Sequence, residues 1–297
     1  MGWVLVSILN IFYLMRFHQY IKNLFIFLPA FFSFRFFDEG SIINSLFAFI
    51  CFCFCASAIY IINDIVDAPS DRIHPSKRNR PIASGKIKPK VALLIALALL
   101  FIAVGGLLWL LSNVILPVVI YIVINLFYSF KFKHIPIIDV FIIASGFVIR
   151  LFVGALSINV PLSEWIIVMT FLLALFLALA KRRDDVILYE NSGEKMRKVI
   201  DGYNRQFLDI AMAISASVVM IAYILWSISP EVKLRLHSDY LYLTSIFVLA
   251  GIFRYMQVTF VEQKSGNPSK IILQDRFLQS VILCWLIGFW ILMYMGN

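Results

Sequence analysis

Apolar runs close to the ~20 residues that an α-helix needs to cross a bilayer recur along the whole of this chain of 297 residues. Lipid offers no hydrogen-bond partners to a backbone, so a chain of this kind folds into helices that satisfy their own N–H and C=O groups, or into a closed barrel. A barrel would alternate apolar and polar residues in strands of about 10, and these runs do not alternate. Only 14% of the residues are charged, against roughly 25% in soluble domains. The expected fold is an all-α polytopic membrane protein of about nine transmembrane helices, one integral-membrane domain over residues 1–297. The spans are expected at 22–37, 41–62, 91–112, 114–130, 136–157, 163–180, 207–229, 239–257 and 277–295.

The linkers place the charge. Of the 26 Lys and Arg, 22 fall in the N-terminal segment to Lys22, in 63–90, 131–135 and 181–206, and in 254–276. With nine spans all five segments lie on one side, which the positive-inside rule makes cytoplasmic together with the N-terminus. The N-terminus has no basic start and no small-residue cleavage site, so it is expected to be retained. It also lacks the Ser or Thr of a myristoylation signal. Cys51, Cys53 and Cys55 have poor spacing for a metal cage and read as packing. The net charge of +9, on a chain embedded in a membrane, points to anionic lipid or an anionic substrate and not to nucleic acid.

One stretch joins acids to bases: NDIVDAPSDRIHPSKRNRPIASG, Asn63 to Gly85. If the second span's helix continues past Ile62, then Asn63, Asp67 and Asp71 share a face, with Asp64 beside Asp67. Carboxylates so placed repel one another unless a cation stands between them. Mg²⁺ suits the set, because it takes oxygen ligands from one or two carboxylates and shares the rest with phosphates and water. Arg72, His74, Lys77, Arg78, Arg80, Lys86 and Lys88 follow. A metal and guanidinium groups side by side bind the same polyphosphate. The alternative is a solvated loop, against which Pro75, Pro81 and Gly85 argue by stiffening it.

In the fifth expected span, Asp139, Gly146, Arg150 and Gly154 form one helical stripe. A charge at the depth of Arg150 meets either a lipid phosphate in a polar cavity or the partner of a structural ion pair inside the bundle, and the glycines leave room for a ligand or a neighbouring helix. Asn23, Tyr128 and Tyr203 lie at the ends of spans on the same side as the basic loops. His18, His134 and His237 have no metal-ligand spacing.

The Asn63–Gly85 stretch resembles the first aspartate-rich motif, N-D-x-x-D-x-x-x-D followed by R-P-I-x-x-G, of the UbiA-type intramembrane prenyltransferase superfamily. Within it the chain is most similar to the decaprenyl-phosphate phosphoribosyltransferase branch. The further stretches RFHQYIKNLFIFLPAFFS (16–33), YSFKFKHIPIIDVFIIASGFVIRLFVGA (128–155), LALAKRRDDV (177–186) and RYMQVTFVEQKSGNPSKIILQDR (254–276) carry that likeness over nearly the whole chain. The resemblance implies a UbiA-like helical bundle with a cytoplasm-facing polar cavity. It implies Mg²⁺-dependent transfer of 5-phosphoribose from phosphoribosyl diphosphate to a polyprenyl phosphate in the bilayer. Asn63, Asp64 and Asp67 would hold the metal and Asp71 would support them. Arg72, Lys77, Arg78 and Arg80 would hold the diphosphate or the 5-phosphate, with Lys22 and Lys133 as further phosphate contacts. Aromatic-acceptor prenyltransferases of the superfamily have a second D-x-x-x-D motif where this chain reads KRRDDVILYE. Asp184 and Asp185 are adjacent, about 100° apart on a helix, and cannot form an i, i+4 metal pair. Asp185, with Lys181 and Arg182 before it, is left as a single carboxylate for substrate. The alternative reading is prenyl transfer to an aromatic acceptor. A non-catalytic transporter of a phosphorylated solute is the third.

Overall fold

The computed structural model describes residues 10–73, 77–193, 198–264, 266 and 268–294. Among them all regular structure is helical. Among the described residues eight helical spans are long and apolar enough to cross a membrane, two of them, Ser112–Phe130 and Leu241–Phe260, counted with a leading 3₁₀ turn. They are α1 (Glu39–Ile73), α2 (Pro89–Leu110), α3 (Ile115–Phe130), α4 (Ile138–Ser157), α5 (Glu164–Ser192), α6 (Arg205–Ile228), α7 (Ser245–Phe260) and α8 (Arg276–Tyr294). All eight cover expected spans from 41–62 onward, most ends falling within a few residues and α1 and α5 running on beyond them. The protein is a multi-pass membrane protein. Its large exposed side chains, such as Phe101, Trp109 and Leu94 on α2, are what a lipid-facing surface presents.

The expected first span, 22–37, is not one α-helix. Residues 10–15 are helical, and Arg16 then turns the chain with φ +54° and ψ +49°. A tight 3₁₀ segment Phe17–Phe27 follows, then a short α-helix Leu28–Phe32, then a turn at Phe34 with φ +59°. Left-handed backbone at non-glycine residues costs roughly 1–2 kcal/mol each, and an unbroken helix cannot pass through it. At ~2.0 Å per 3₁₀ residue and ~1.5 Å per α residue, Phe17–Phe32 still measures about 30 Å, the thickness of a bilayer core.

The chain divides into two compact units, Met1–Leu162 and Ser163–Asn297. In the first, α1 packs against α2, α3 and α4, and the 3₁₀ segment lies against both α1 and α4. Two apolar clusters hold it together. One gathers Phe52, Ala56 and Ile59 of α1 with Leu107 of α2, Val118 and Tyr121 of α3 and Val153 of α4. The other joins Leu14, Ala58, Ile61, Ala68, Ile82, Ala92 and Ala96. Gly154 sets the closest approach: a Cβ there would lie 2.0 Å from the carbonyl oxygen of Ile26. The room left by this glycine is therefore filled by a neighbouring segment. In the second unit α5 packs on α6, and α7 on α8.

At 35 residues, α1 is about 52 Å long, well beyond the ~30 Å of hydrocarbon. The excess is the acidic C-terminal part, which continues the helix from Ile62 to Ile73 through Pro69. Helix α5 likewise carries Lys181–Asp185 as part of a continuous helix to Ser192.

Gly154→Ala is expected to lower the midpoint of thermal unfolding in detergent by several degrees, since overpacking costs about 1–3 kcal/mol. Gly105→Ala, whose Cβ would meet nothing within 4 Å, should leave the midpoint unchanged or raise it. Equal midpoints for the two variants would contradict this packing.

Candidate active site

Continuation of α1 past Ile62 decides which acids are buried. Ala58, Ile61, Asp64, Ala68 and Asp71 fall at helical spacing on one face, and all five are buried, Asp64 and Asp71 at 3% exposure each. Two segments from far along the chain bring cations to that face. Leu14 and Ile82 are both fully inside the apolar cluster that includes Ile61 and Ala68. Each lies two residues from an arginine, Arg16 and Arg80.

Arg80 is aimed by its turn. Ser84 N–H donates to the Arg80 carbonyl (2.8 Å), Gly85 N–H to that of Ile82 (3.1 Å), and Ile87 N–H to that of Pro81 (2.9 Å). Gly85 closes the turn at φ +78°, a left-handed conformation that glycine adopts without strain. The R-P-I-x-x-G sequence is therefore a fold-back that returns Arg80 to the helix it has just left. Its Nη1 donates to Asp64 Oδ1 at 3.0 Å and to Asp71 Oδ2 at 2.7 Å. Arg16 Nη2 donates to the same Asp64 Oδ1, and its guanidinium lies over the Tyr60 ring. The Arg16 turn is fixed by Ser57, whose Oγ donates to the Met15 carbonyl (2.8 Å).

A second group forms on the neighbouring flank. Lys133, in the 3₁₀ turn Phe132–His134, donates to Asp67 Oδ1 at 2.5 Å and lies 3.4 Å from Asn63 Oδ1. Asn63 Nδ2 donates to Asp67 Oδ2 at 2.9 Å. The expected face of Asn63, Asp67 and Asp71 is thus divided. Asp64 and Asp71 share Arg80, while Asn63 and Asp67 share Lys133. Among the described residues no three His, Cys, Asp or Glu side chains converge on one point, so Asn63, Asp64 and Asp67 do not form a single preassembled ligand set. The donors still fit Mg²⁺ in kind. They are hard oxygens in two half-sites, each facing a positive charge, and Mg²⁺ asks for only one or two protein carboxylates.

The other expected residues are distributed as follows. Arg72 and Arg78 are exposed and make no ion pair among the described residues, and Lys77 is half-buried. His74 and Pro75 lie outside the described residues. Tyr128 is half-buried near the end of α3. Asp139 is fully buried in the first turn of α4. Asn23 is 1% exposed and accepts from Arg150 Nε at 2.8 Å while donating to Cys53 Sγ at 3.1 Å. Arg150 also donates to the Gly146 carbonyl (2.6 Å) and sits over the rings of Phe52, Tyr121 and Phe147 at 5.0–5.3 Å. This is an aromatic cage; among the described residues Arg150 has no carboxylate partner, so the expected ion pair is not found. The three cysteines of α1 are buried and free.

In the second unit Asp185 is held within its own helix by Arg182 Nη1 at 2.8 Å. Arg183, 1% exposed, pairs with Asp209 (2.5 Å), donates to the Thr259 carbonyl (2.9 Å) and stacks on Phe260. Asp184 has no ion pair among the described residues, and Gly266 packs against its carboxylate, where a Cβ would lie 2.4 Å from Oδ2. Lys181 is half-buried on α5, and Tyr203 is buried and stacks on Phe207. Arg254 clamps Asp275 through Nε (3.1 Å) and Nη2 (2.7 Å). That guanidinium, with the backbone N–H of Leu278, holds the Asp275 carboxyl below its ordinary range. The clamp therefore persists at neutral pH and is lost only as pH falls through the lowered value.

Residues 24–281 match the UbiA prenyltransferase family. The chain belongs to this family. A decaprenyl-phosphate phosphoribosyltransferase from Corynebacterium glutamicum is 33% identical over 251 residues, 84% of this chain and 75% of that protein. Another, from Mycolicibacterium smegmatis, is 34% identical over 247 residues, 80% of this chain and 77% of that protein. The structure of a UbiA homolog from Archaeoglobus fulgidus bound to DMAPP and Mg²⁺ has the same fold, with a TM-score of 0.71 over 95% of this chain and 98% of that one, at 18% identity. The UbiA member described here is accordingly a membrane-embedded transferase.

Arg16, Arg183 and Arg254 are the cations that sequence reasoning did not assign. Arg16 is 48 residues from its carboxylate partner, beyond the reach of any helical period. Arg150→Met is expected to lower the midpoint of unfolding, because Asn23 Oδ1 and the Gly146 carbonyl would each lose a charged donor at about 1–3 kcal/mol apiece. An unchanged midpoint would contradict the structural role given to Arg150.

Proposed function

We propose that this protein transfers 5-phosphoribose from phosphoribosyl diphosphate to a polyprenyl phosphate and releases diphosphate. The observation that carries the reading is the set of three carboxylates and three cations at the end of α1, on a chain 33% identical to a decaprenyl-phosphate phosphoribosyltransferase over 84% of its length. Asp64 and Asp67, with Asn63 and Asp71 beside them, would hold Mg²⁺. When bound, the metal would neutralise charge on the leaving diphosphate.

The remaining work falls to the chain's own residues. Arg80, Lys133 and Arg16 stabilise negative charge on the diphosphate as the ribose C1–O bond breaks and its electron pair leaves with diphosphate. A phosphate oxygen of the acceptor forms the new bond to C1. That oxygen is already anionic at neutral pH, so no general base is required, which fits a site built of Asp, Arg and Lys. Carboxylates nearby stabilise the oxocarbenium character of the sugar. Lys22, Arg72, Lys77 and Arg78 are further phosphate contacts in this reading. Tyr128 and Asp139 in the first unit are further substrate contacts in this reading, and in the second unit, taken by itself, Lys181, Arg182, Asp185 and Tyr203 are candidates for the same role. The basic loops face the cytoplasm of a bacterium, where phosphoribosyl diphosphate is soluble, and the isoprenoid chain stays in the bilayer.

Prenyl transfer to an aromatic acceptor would use the same first motif, because there too Mg²⁺-diphosphate is what the aspartates hold. Two adjacent aspartates, one already paired with Arg182, in place of D-x-x-x-D favour the phosphoribosyl reading. Purified protein with Mg²⁺ and phosphoribosyl diphosphate should release diphosphate only when polyprenyl phosphate is present. Asp67→Ala should lower the rate about a hundred-fold or more. Release from a polyprenyl diphosphate with an aromatic acid, and none from phosphoribosyl diphosphate, would replace this function by the second one.

A further inference from the structure

The three acids of the first motif are not free to receive a metal. Asp64 is bound by Arg16 and Arg80, Asp71 by Arg80, and Asp67 by Lys133. Three carboxylates and three fixed cations make a cluster of zero formal charge. It lies where Asp64 and Asp71 are 3% exposed and the Lys133 side chain 10%. Water screens such pairs poorly.

This arrangement has consequences for each ligand separately. A divalent cation arriving alone must displace Arg80 or Lys133 from its carboxylate. The displaced cation then has no counter-charge in a partly buried place, the situation in which a broken ion pair is most unfavourable. A diphosphate arriving alone must draw the cations away and leave three aspartates unneutralised. When metal and diphosphate arrive together, both halves are satisfied: the carboxylates turn to the metal and the cations turn to phosphate oxygens. The geometry suits the exchange. Arg80 Nη1 is a single nitrogen shared by two aspartates, and Lys133 Nζ stands between Asp67 and Asn63. Each occupies a place between oxygen donors that a metal would take.

We infer that Arg16, Arg80 and Lys133 are exchangeable counterions, which neutralise Asp64, Asp67 and Asp71 in the free protein and pass to phosphate oxygens on binding, so that metal and diphosphate are captured together and neither is captured well alone. This deepens the function proposed above, but it rests only on that site holding a metal–diphosphate, whichever group the diphosphate carries.

The test uses the full chain in detergent with Mn²⁺ alone, followed by EPR, and with radiolabelled inorganic diphosphate in the presence and absence of Mg²⁺. Wild-type protein should bind diphosphate at least about ten-fold more tightly with Mg²⁺ than without, within the usual range of coupling between sites. Arg80→Gln should bind Mn²⁺ alone about ten-fold or more tightly than wild type, yet lose affinity for Mg²⁺-diphosphate. Lys133→Met, acting on the separate Asn63–Asp67 pair, should do the same, which guards against one variant failing to fold. Lys90→Gln removes an equal charge from an exposed position and should behave as wild type. Wild-type protein that binds Mn²⁺ alone as tightly as either variant, or variants that keep full affinity for Mg²⁺-diphosphate, would overturn the inference. Neither result depends on the sugar or the lipid, so a failed phosphoribosyl assay leaves it untouched.

Discussion

Charge neutralisation at the C-terminal end of one helix is the constraint on which the rest of the first unit depends. Asp64 and Asp71 are buried on α1, and a carboxylate in such a place is tolerated only with a fixed partner. The partners are not neighbours in sequence. Arg16 comes through a left-handed turn between two helical pieces, and Arg80 through a turn that needs Gly85. The apolar residues next to them, Leu14 and Ile82, pack into one cluster with α1 and α2. The hydrophobic effect therefore aims the guanidinium groups: burying Leu14 and Ile82 brings Arg16 and Arg80 to the acids.

The same logic explains why the motif sits past a membrane span. Residues 41–62 of α1 form the apolar run, and the next three turns carry the acids that meet Arg16, Arg80 and Lys133, on one continuous helix. A helix holds its side chains at fixed angles, so the four motif residues divide between two flanks according to their spacing. Asp64 and Asp71, seven apart, face the apolar cluster and the arginines. Asn63 and Asp67, four apart, face Lys133. The two half-sites follow from the period of the helix.

Most of the fold was legible in the sequence because a bilayer imposes a length, and each of the eight long helices begins or ends near the end of an apolar run. The first span was not legible. Its run FIFLPAFFSFRFF is apolar enough, but 3₁₀ geometry and the breaks at Arg16 and Phe34 leave no mark on hydropathy. The acids and bases of the site were legible as a motif, since Asp and Arg residues beside a membrane span need a reason. Which base meets which acid was not. Arg72 follows Asp71 directly, yet adjacent residues on a helix diverge by about 100°, and the partner is Arg80, brought back by a turn. In KRRDDV the adjacent Asp184 and Asp185 lie on the continuous helix α5, where neighbouring side chains diverge by about 100°. The i, i+3 pairing of Arg182 with Asp185 follows from helical spacing and was available to a reader who continued the helix past residue 180.

A structure of the protein bound to Mg²⁺ and phosphoribosyl diphosphate, at a resolution that shows the metal and the side chains, tests the central claim most directly. The account predicts the metal against Asp64 and Asp67, and the diphosphate oxygens within hydrogen-bond distance of Arg80 and Lys133, which will have left Asp71 and Asp67. A complex in which Arg80 still bridges Asp64 and Asp71, Lys133 still holds Asp67, and the diphosphate lies elsewhere would contradict it.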